Sequence, residues 1–201
     1  MVIVLENSPI KTYHDLKGKR VSLGVKGGTA EIICDLVMKE GYGLTEETYD
    51  LYNIPPSEAA NGLKDGSLDA INVGGGIPSP VIMEMQATHP VRVLPVEPEI
   101  AEKIYENYPF MIPGVIPEGT HEGHPEVPAV RTYTIGYVNK DLPEDLVYEM
   151  TKAIWENIDE LAQVHVSQKD LDPSMIKSVA SLPVPLHPGA ERYYKEKGWL
   201  D

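Results

Sequence analysis

Residues 17–40 read KGKRVSLGVKGGTAEIICDLVMKE, and this stretch decides the fold. Residues 20–23 form a short β-prone run, and residues 24–28 form a glycine-rich bend. Thr29 opens a segment whose apolar residues recur at helical spacing, namely Ile32, Ile33, Leu36 and Val37. The stretch therefore predicts a strand, a tight loop and a helix.

The helix N-terminus that follows this bend is a candidate anion-binding site. The first turn of a helix leaves backbone N–H groups without intrahelical partners, and the helix dipole adds partial positive charge there. Gly27 and Gly28 allow a ligand to approach the backbone closely, and Thr29 can cap the helix or turn its hydroxyl toward the ligand. The alternative is that the glycines serve only the turn. The loop lacks the Lys-Ser/Thr ending of a nucleotide P-loop and the three-glycine spacing of a dinucleotide-binding loop.

A second glycine loop follows another predicted strand. Residues 68–73 are β-prone, and the sequence GGGIPSP comes directly after them. Ligands of open α/β sheets bind outside the carboxyl ends of the strands. The second loop therefore adds four candidate ligand residues, Gly74, Gly75, Gly76 and Ile77.

Composition restricts the class of partner. The chain has 201 residues, is 42% hydrophobic and carries a formal net charge of −14, which repels nucleic acid and anionic membrane surfaces. The first residues, MVIVLENSP, have neither a basic region nor a long apolar run, so they do not form a secretory signal. The single cysteine, Cys34, lies among apolar residues of the predicted helix and is interpreted as a structural thiol.

Strands alternate with helices along the first two thirds of the chain, which predicts an α/β architecture with a largely parallel sheet. A proline- and glycine-rich segment over residues 111–128 predicts a long loop. A β-branched and aromatic strand is expected over residues 131–138, and one long helix over residues 143–163. Two shorter helices are expected after Asp172-Pro173 and after His187-Pro188-Gly189.

The other chemistry-bearing residues favour no catalytic site. His121, Glu122, His124 and Glu126 are potential metal ligands, but His-x-x-His without a helix or a distant third ligand is interpreted as part of a solvated loop. His14, His89 and His165 stand alone and are interpreted as structural or exposed. No serine-nucleophile elbow, Cys-His pair or spaced carboxylate pair is present in the sequence. We therefore predict no cofactor, no metal and no enzymatic activity.

Taken together, five segments resemble the TAXI family of TRAP-transporter solute receptors. In chain order they are IKTYHDLKGKRVSLGVKGGTAE, LKDGSLDAINVGGGIPSP, IPEGTHEG, LVYEMTKAIWENIDEL and LPVPLHPGAERYYKEKGW. The resemblance implies a periplasmic protein with the type II periplasmic binding protein fold, in which two α/β lobes close on a small organic acid or amino acid. It also implies delivery of that ligand to TRAP permease membrane subunits. The loop matching residues 24–29 would bind the ligand carboxylate, and the loop matching residues 74–78 would border the cleft.

Two departures from this family bear on the organisation of the chain. The family's Gly-Ser-Gly loop becomes Gly27-Gly28-Thr29, which removes one hydroxyl. An N-terminal lobe of on the order of a hundred residues would be expected upstream. We therefore expect one lobe plus the C-terminal helices of a two-lobe fold. Residues 1–6 would be a hinge strand, residues 7–130 the ligand-binding lobe, and residues 131–201 a return hinge strand with helices that pack on the missing lobe.

Two other functions are compatible with the residues. An α/β enzyme could use the loop of residues 24–29 to bind a phosphate-bearing substrate or cofactor. Alternatively, the chain could lack binding activity and form a homo-oligomer through the apolar face that the missing lobe would cover.

Overall fold

A computed structural model describes residues 1–164, 171–180 and 182–201. The chain divides into two compact units, Met1–Thr132 and Tyr133–Asp201. His165, one of the isolated histidines of the sequence, lies outside the described residues. None of the described helices has the length and the apolar character needed to cross a membrane.

The first unit is built on a five-stranded sheet whose order is β3-β2-β4-β1-β5. Its strands are β1 (Val2–Leu5), β2 (Arg20–Ser22), β3 (Asp50–Tyr52), β4 (Ala70–Asn72) and β5 (Val91–Val93). Strand β2 pairs in parallel with both β3 and β4. Strand β1 pairs antiparallel with both of its neighbours, β4 and β5. The α/β class is confirmed, and the sheet is parallel except at β1.

Helices cover both faces of this sheet. They are α1 (Thr29–Leu36), α2 (Pro56–Asp65), α3 (Pro80–Gln86) and α4 (Pro98–Asn107). Successive residues of a strand point to opposite faces. Accordingly, Val2 and Val4 lie in one apolar cluster with residues of α1 and α4, whereas Ile3 lies in another with residues of α2 and α3. Burial of both faces accounts for the continuous apolar sequence of β1, VIVL.

A two-stranded hairpin replaces the long loop expected over residues 111–128. Strand β6 (Met111–Ile116) pairs antiparallel with β7 (Val127–Thr132), from Met111 opposite Thr132 to Ile116 opposite Val127. Pro113 and Pro128 argue against strands in the sequence because proline donates no backbone hydrogen bond. A two-stranded ribbon tolerates proline because each of its strands lies at an edge of the sheet.

The strand expected over residues 131–138 is also corrected. Strand β7 ends at Thr132, and the residues from Tyr133 to Val138 form no regular element. Their β-branched and aromatic composition favours a strand, but a strand forms only where another strand offers hydrogen-bond partners. The segment is therefore the covalent connection between the two units rather than a strand.

The second unit is helical. Its helices are α5 (Glu144–Glu156), α6 (Ile158–Val164), α7 (Ile176–Ala180) and α8 (Pro188–Glu196). The single helix expected over residues 143–163 is interrupted at Asn157, whose side chain donates to the carbonyl of Ala153 at 2.7 Å. The two shorter C-terminal helices are confirmed. Aromatic rings pack between α5 and α8, including Tyr148, Trp155, Tyr193 and Trp199.

Cys34 is buried in the first unit, and burial raises the pKa of its thiol to about 12. The thiolate is the reactive form of cysteine. We therefore expect alkylation at pH 8 to be at least about a hundredfold slower in the native protein than in 6 M guanidinium chloride. The variant Ser57→Cys places a second thiol at an exposed position and serves as the reactive control. Comparable native rates for the two thiols would show that Cys34 is accessible.

Candidate functional site

The two glycine loops follow adjacent parallel strands of the sheet. The first connects β2 to α1, and the second connects β4 to α3. Strands β2 and β4 are hydrogen-bonded neighbours, with Val21 opposite Ala70 and Ser22 opposite Ile71. Both loops therefore leave the same carboxyl edge side by side. This is the edge at which open α/β sheets bind their ligands.

The first loop has the geometry of an uncapped helix N-terminus. Gly28 is the N-cap residue of α1 in an extended conformation, and within the described residues no side chain donates or accepts a capping hydrogen bond there. Gly27 has φ +76°, which favours glycine, and the Gly28 N–H donates to the Val25 carbonyl at 3.0 Å. The predicted strand, loop and helix are thus confirmed. The N–H groups at the start of α1 face an exposed surface.

Glu31 adds a charge to this loop that the sequence did not single out as part of the site. Its carboxylate accepts a hydrogen bond from the Gly27 N–H at 3.2 Å. One N–H group of the loop therefore already donates to an anionic oxygen. Lys26, exposed in the same loop, supplies the opposite charge. Together they give the loop a positive and a negative group beside the helix dipole.

The second loop packs directly against the helix that the first loop opens. A Cβ added at Gly74 would overlap the Cβ of Ala30. The two segments are therefore so close that only glycine fits at position 74. Gly75 has φ +116°, another conformation that favours glycine. The three glycines are exposed and Ile77 is half-buried. The predicted ligand residues of both loops are thus brought together at one surface.

Asn72 holds the two loops in this arrangement. Its side-chain amide donates to the carbonyl of Leu23 at 3.0 Å and to that of Ala30 at 2.9 Å. Asn53, which follows β3, donates to the Gly24 carbonyl at 3.2 Å. Sequence reasoning missed both amides. The signal was available for Asn72, because a polar residue inside an apolar strand needs buried hydrogen-bond partners.

His121 and His124 are buried, so the solvated loop expected for them is wrong. They are 1% and 6% exposed, and their ring centroids lie 5.5 Å apart. The Ser79 N–H donates to Nε2 of His121 at 2.8 Å, which ties the histidine segment to the end of the second glycine loop. Burial and the neighbouring His124 lower the pKa of His121. Across the described residues no group of three or more potential ligands could hold a metal ion.

An open cleft of about 540 Å³ runs along the edge strand β3. Lys26 of the first loop and Asn53 line it, together with Glu46, Tyr49, Asp50, Leu51 and Tyr52. None of the predicted ligand residues of the two loops is part of its wall. Those residues therefore form an exposed surface at the carboxyl edge of the sheet, next to this cleft at Lys26.

A comparison with protein-family models matches residues 1–198 to the NMT1-like family. Among solved structures, the chain is similar to the periplasmic aliphatic sulphonate binding protein SsuA of Escherichia coli, at 30% identity with a TM-score of 0.40. That match covers 46% of this chain and 30% of the other. The alkanesulfonate-binding protein SsuA of Xanthomonas axonopodis pv. citri, bound to MOPS, matches at 18% identity with a TM-score of 0.46. This match covers 96% of this chain and 54% of the other.

A third match is the probable amino-acid ABC transporter extracellular-binding protein ytmK of Bacillus subtilis. It is 19% identical, has a TM-score of 0.42 and covers 90% of this chain and 59% of the other. The chain therefore spans less than two thirds of the length of each of these three proteins. All three solved structures are named as binding proteins.

Proposed function

Because the chain belongs to the NMT1-like family, we propose that it is a periplasmic solute receptor that binds a small organic acid or amino acid and delivers it to TRAP permease membrane subunits. The ligand residues in this proposal are the glycines and neighbours of the two loops, listed as Gly27, Gly28, Thr29, Gly74, Gly75, Gly76 and Ile77. The receptor changes no covalent bond of its ligand.

The observation on which this proposal rests is the pairing of two glycine loops at the carboxyl ends of β2 and β4. Asn72 fixes one loop to the other through two hydrogen bonds, so their backbones keep a set distance. A rigid pair of loops lowers the entropic cost of binding a small ligand between them. The uncapped start of α1 then offers N–H donors to a carboxylate.

Glu31 bears on the class of ligand. Its carboxylate lies at the Gly27 N–H, beside the position proposed for the ligand's own carboxylate. An ammonium group on the ligand would find an opposite charge in the Glu31 carboxylate, whereas a dicarboxylate without an ammonium group would offer it no partner. The arrangement therefore favours an amino acid over a dicarboxylate.

In the proposed mechanism the ligand stabilises a closed state of a two-lobe receptor. Residues 1–6 and 131–138 are the proposed hinge segments, residues 7–130 form the proposed ligand-binding lobe, and the C-terminal helices would pack on a second lobe. Closure follows when the ligand binds the closed state more tightly than the open state. Delivery to the membrane transporter then requires that the transporter favour the open, ligand-releasing state.

Native mass spectrometry of the purified chain, followed by denaturing release, tests the proposal directly. We expect a single small organic acid or amino acid to be released per chain. A thermal-shift series with L-glutamate, succinate and ethanesulfonate then identifies the class, because a ligand at a hundred times its Kd adds about 2.7 kcal/mol to stability. We expect L-glutamate to give the largest shift. A bare chain that responds to none of the three probes would contradict the proposal, and a response to ethanesulfonate alone would replace the carboxylate with a sulfonate.

Gly28→Val tests the first loop. A Cβ at Gly28 would lie 2.9 Å from the Val25 carbonyl oxygen, and the larger side chain would cover the N–H groups at the start of α1. We expect L-glutamate affinity, measured by isothermal titration calorimetry, to fall at least about tenfold while the protein remains folded. Asn61→Val is the control, because Asn61 is exposed on α2 and lies outside both glycine loops and both proposed hinge segments. Unchanged affinity in Gly28→Val would remove this loop from the site.

Self-association remains a second candidate because α5 exposes a stripe of apolar side chains. Leu146, Met150 and Ile154 are four residues apart in sequence and are 48%, 42% and 46% exposed. Residues at this spacing share one helix face. Sedimentation velocity over a hundredfold range of concentration tests this candidate, and a concentration-independent monomer would exclude a homo-oligomer through that face.

A further inference from the structure

His121 accepts a hydrogen bond from the backbone of the second glycine loop. The Ser79 N–H donates to its Nε2 at 2.8 Å, and Ser79 is 3% exposed. Ser79 directly follows the loop of residues 74–78 and is the N-cap residue of α3. Its hydrogen bond therefore fixes the point at which the loop joins the helix.

This hydrogen bond requires a neutral imidazole. A neutral histidine has one ring nitrogen that donates and one that accepts, whereas both nitrogens donate in the protonated ring. Because Nε2 accepts from Ser79, the proton of neutral His121 lies on Nδ1. A second proton on Nε2 would place two donors face to face and break the contact.

The surroundings of His121 also disfavour protonation of its imidazole ring. Nδ1 of His121 and both ring nitrogens of His124 are buried and have no hydrogen-bond partner within the described part of the chain. Burial and the neighbouring His124 both lower the pKa of His121. On α3, the residue that faces this segment is the uncharged Gln86, whose amide donates to the Glu122 carbonyl at 3.1 Å. Glu122 itself is exposed.

We infer that His121 is a positioning residue that holds the second glycine loop in its ligand-binding conformation when the imidazole is neutral and releases it when the imidazole is protonated. Ligand affinity then falls at acidic pH. The part of this inference that concerns ligand rests on the proposed function, whereas the link between His121 and Ser79 does not.

The lowered pKa of His121 also determines how the free energy of unfolding changes with pH. Burial and His124 lower the pKa of His121 in the folded protein, so the unfolded chain takes up its proton at a higher pH. Between these two pKa values the unfolded state binds more protons than the folded state. The contribution of His121 to the free energy of unfolding is therefore complete above its usual pKa and decreases as pH falls below it.

A two-dimensional ¹H–¹⁵N NMR titration of the wild-type protein from pH 8 to pH 5 tests the link without any ligand. We expect the Ser79 amide resonance to shift with the same midpoint as the ¹⁵N resonances of the His121 ring, and its hydrogen-exchange protection to fall at least tenfold across that midpoint. A Ser79 amide that stays unchanged while His121 takes up a proton would overturn the inference.

His121→Gln separates the hydrogen bond from the charge. The glutamine oxygen can accept from Ser79 at every pH in this range. With L-glutamate as the probe, we expect wild-type affinity to fall about tenfold from pH 7.5 to pH 5.5 and the affinity of His121→Gln to change less than twofold. His124→Gln is the matched control because it keeps the acceptor of Ser79, and it should retain most of the wild-type pH dependence.

The outcomes separate this inference from the proposed function. If L-glutamate and the other probes do not bind but the Ser79 amide follows His121, the positioning role holds and the proposed ligand fails. If L-glutamate binds with the same pH dependence in wild type and His121→Gln, the site holds and the role of His121 is overturned.

Discussion

Gly74→Ala is expected to weaken ligand binding at least about tenfold and to lower the free energy of unfolding by about 1–3 kcal/mol. The added Cβ would overlap the Cβ of Ala30, which is fixed to the backbone of α1 and cannot rotate away. The second loop must then move away from the helix that the first loop opens. Isothermal titration calorimetry with L-glutamate measures the first effect, and urea unfolding followed by circular dichroism measures the second.

The double variant Ala30→Gly/Gly74→Ala is the decisive control for this prediction. Removing the Cβ of Ala30 leaves its Cα as the next atom, at 3.4 Å from the new Cβ, which is an ordinary contact. Ala30→Gly alone costs about 1 kcal/mol through helix propensity. A double-mutant cycle should therefore show a favourable interaction energy of at least about 1 kcal/mol and a recovery of affinity. Additive losses would show that the two residues do not contact each other as described.

Gly189→Ala is expected to lower the stability of the helical unit by about 3 kcal/mol, at the upper end of the range for overpacking. At this position α8 rests on the backbone of α5 rather than on its side chains. A Cβ at Gly189 would overlap the carbonyl oxygen of Glu144 and would lie 2.6 Å from the Tyr148 nitrogen. The helices must separate, and the packing of Tyr193 between them is lost with the contact.

Tryptophan fluorescence isolates this second effect. Trp155 and Trp199 are the two tryptophans of the sequence, and both belong to the helical unit, where their rings lie 4.8 Å apart. Urea unfolding followed by this signal should show a lower midpoint for Gly189→Ala. Gly136→Ala, an exposed substitution in the same unit, should leave the midpoint unchanged. Equal midpoints for both variants and wild type would mean that α8 does not pack on the backbone of α5.

Local patterns were sufficient for most elements of the sheet unit. The β-prone run, glycine bend and helical periodicity of residues 17–40 predicted β2, the first loop and α1, because each signal acts over a few neighbouring residues. The hairpin of β6 and β7 was missed for the complementary reason. Its prolines disfavour a strand within their own segment, and only the pairing of β6 with β7 offsets this cost.

The candidate site likewise contains a part that local sequence patterns predicted and a part that they did not. Glycine sequences after two predicted strands were enough to nominate both loops, since ligands collect at the carboxyl ends of parallel strands. The histidine segment was misjudged because spacing within HEGH says nothing about burial. What decides its role is Ser79, which lies 42 residues away in the chain.

The sequence by itself determined the α/β class, the positions of the two glycine loops and the acidic charge of the chain. These properties depend on composition and on periodicity over a few residues. The tertiary structure alone decided that β2 and β4 are neighbours and that His121 accepts a hydrogen bond from the end of the second loop. It also decided that the Asn72 amide donates to two carbonyls that lie 42 and 49 residues away in the chain. Such contacts form between residues far apart in sequence, where no local pattern records which partner a buried donor or acceptor will find.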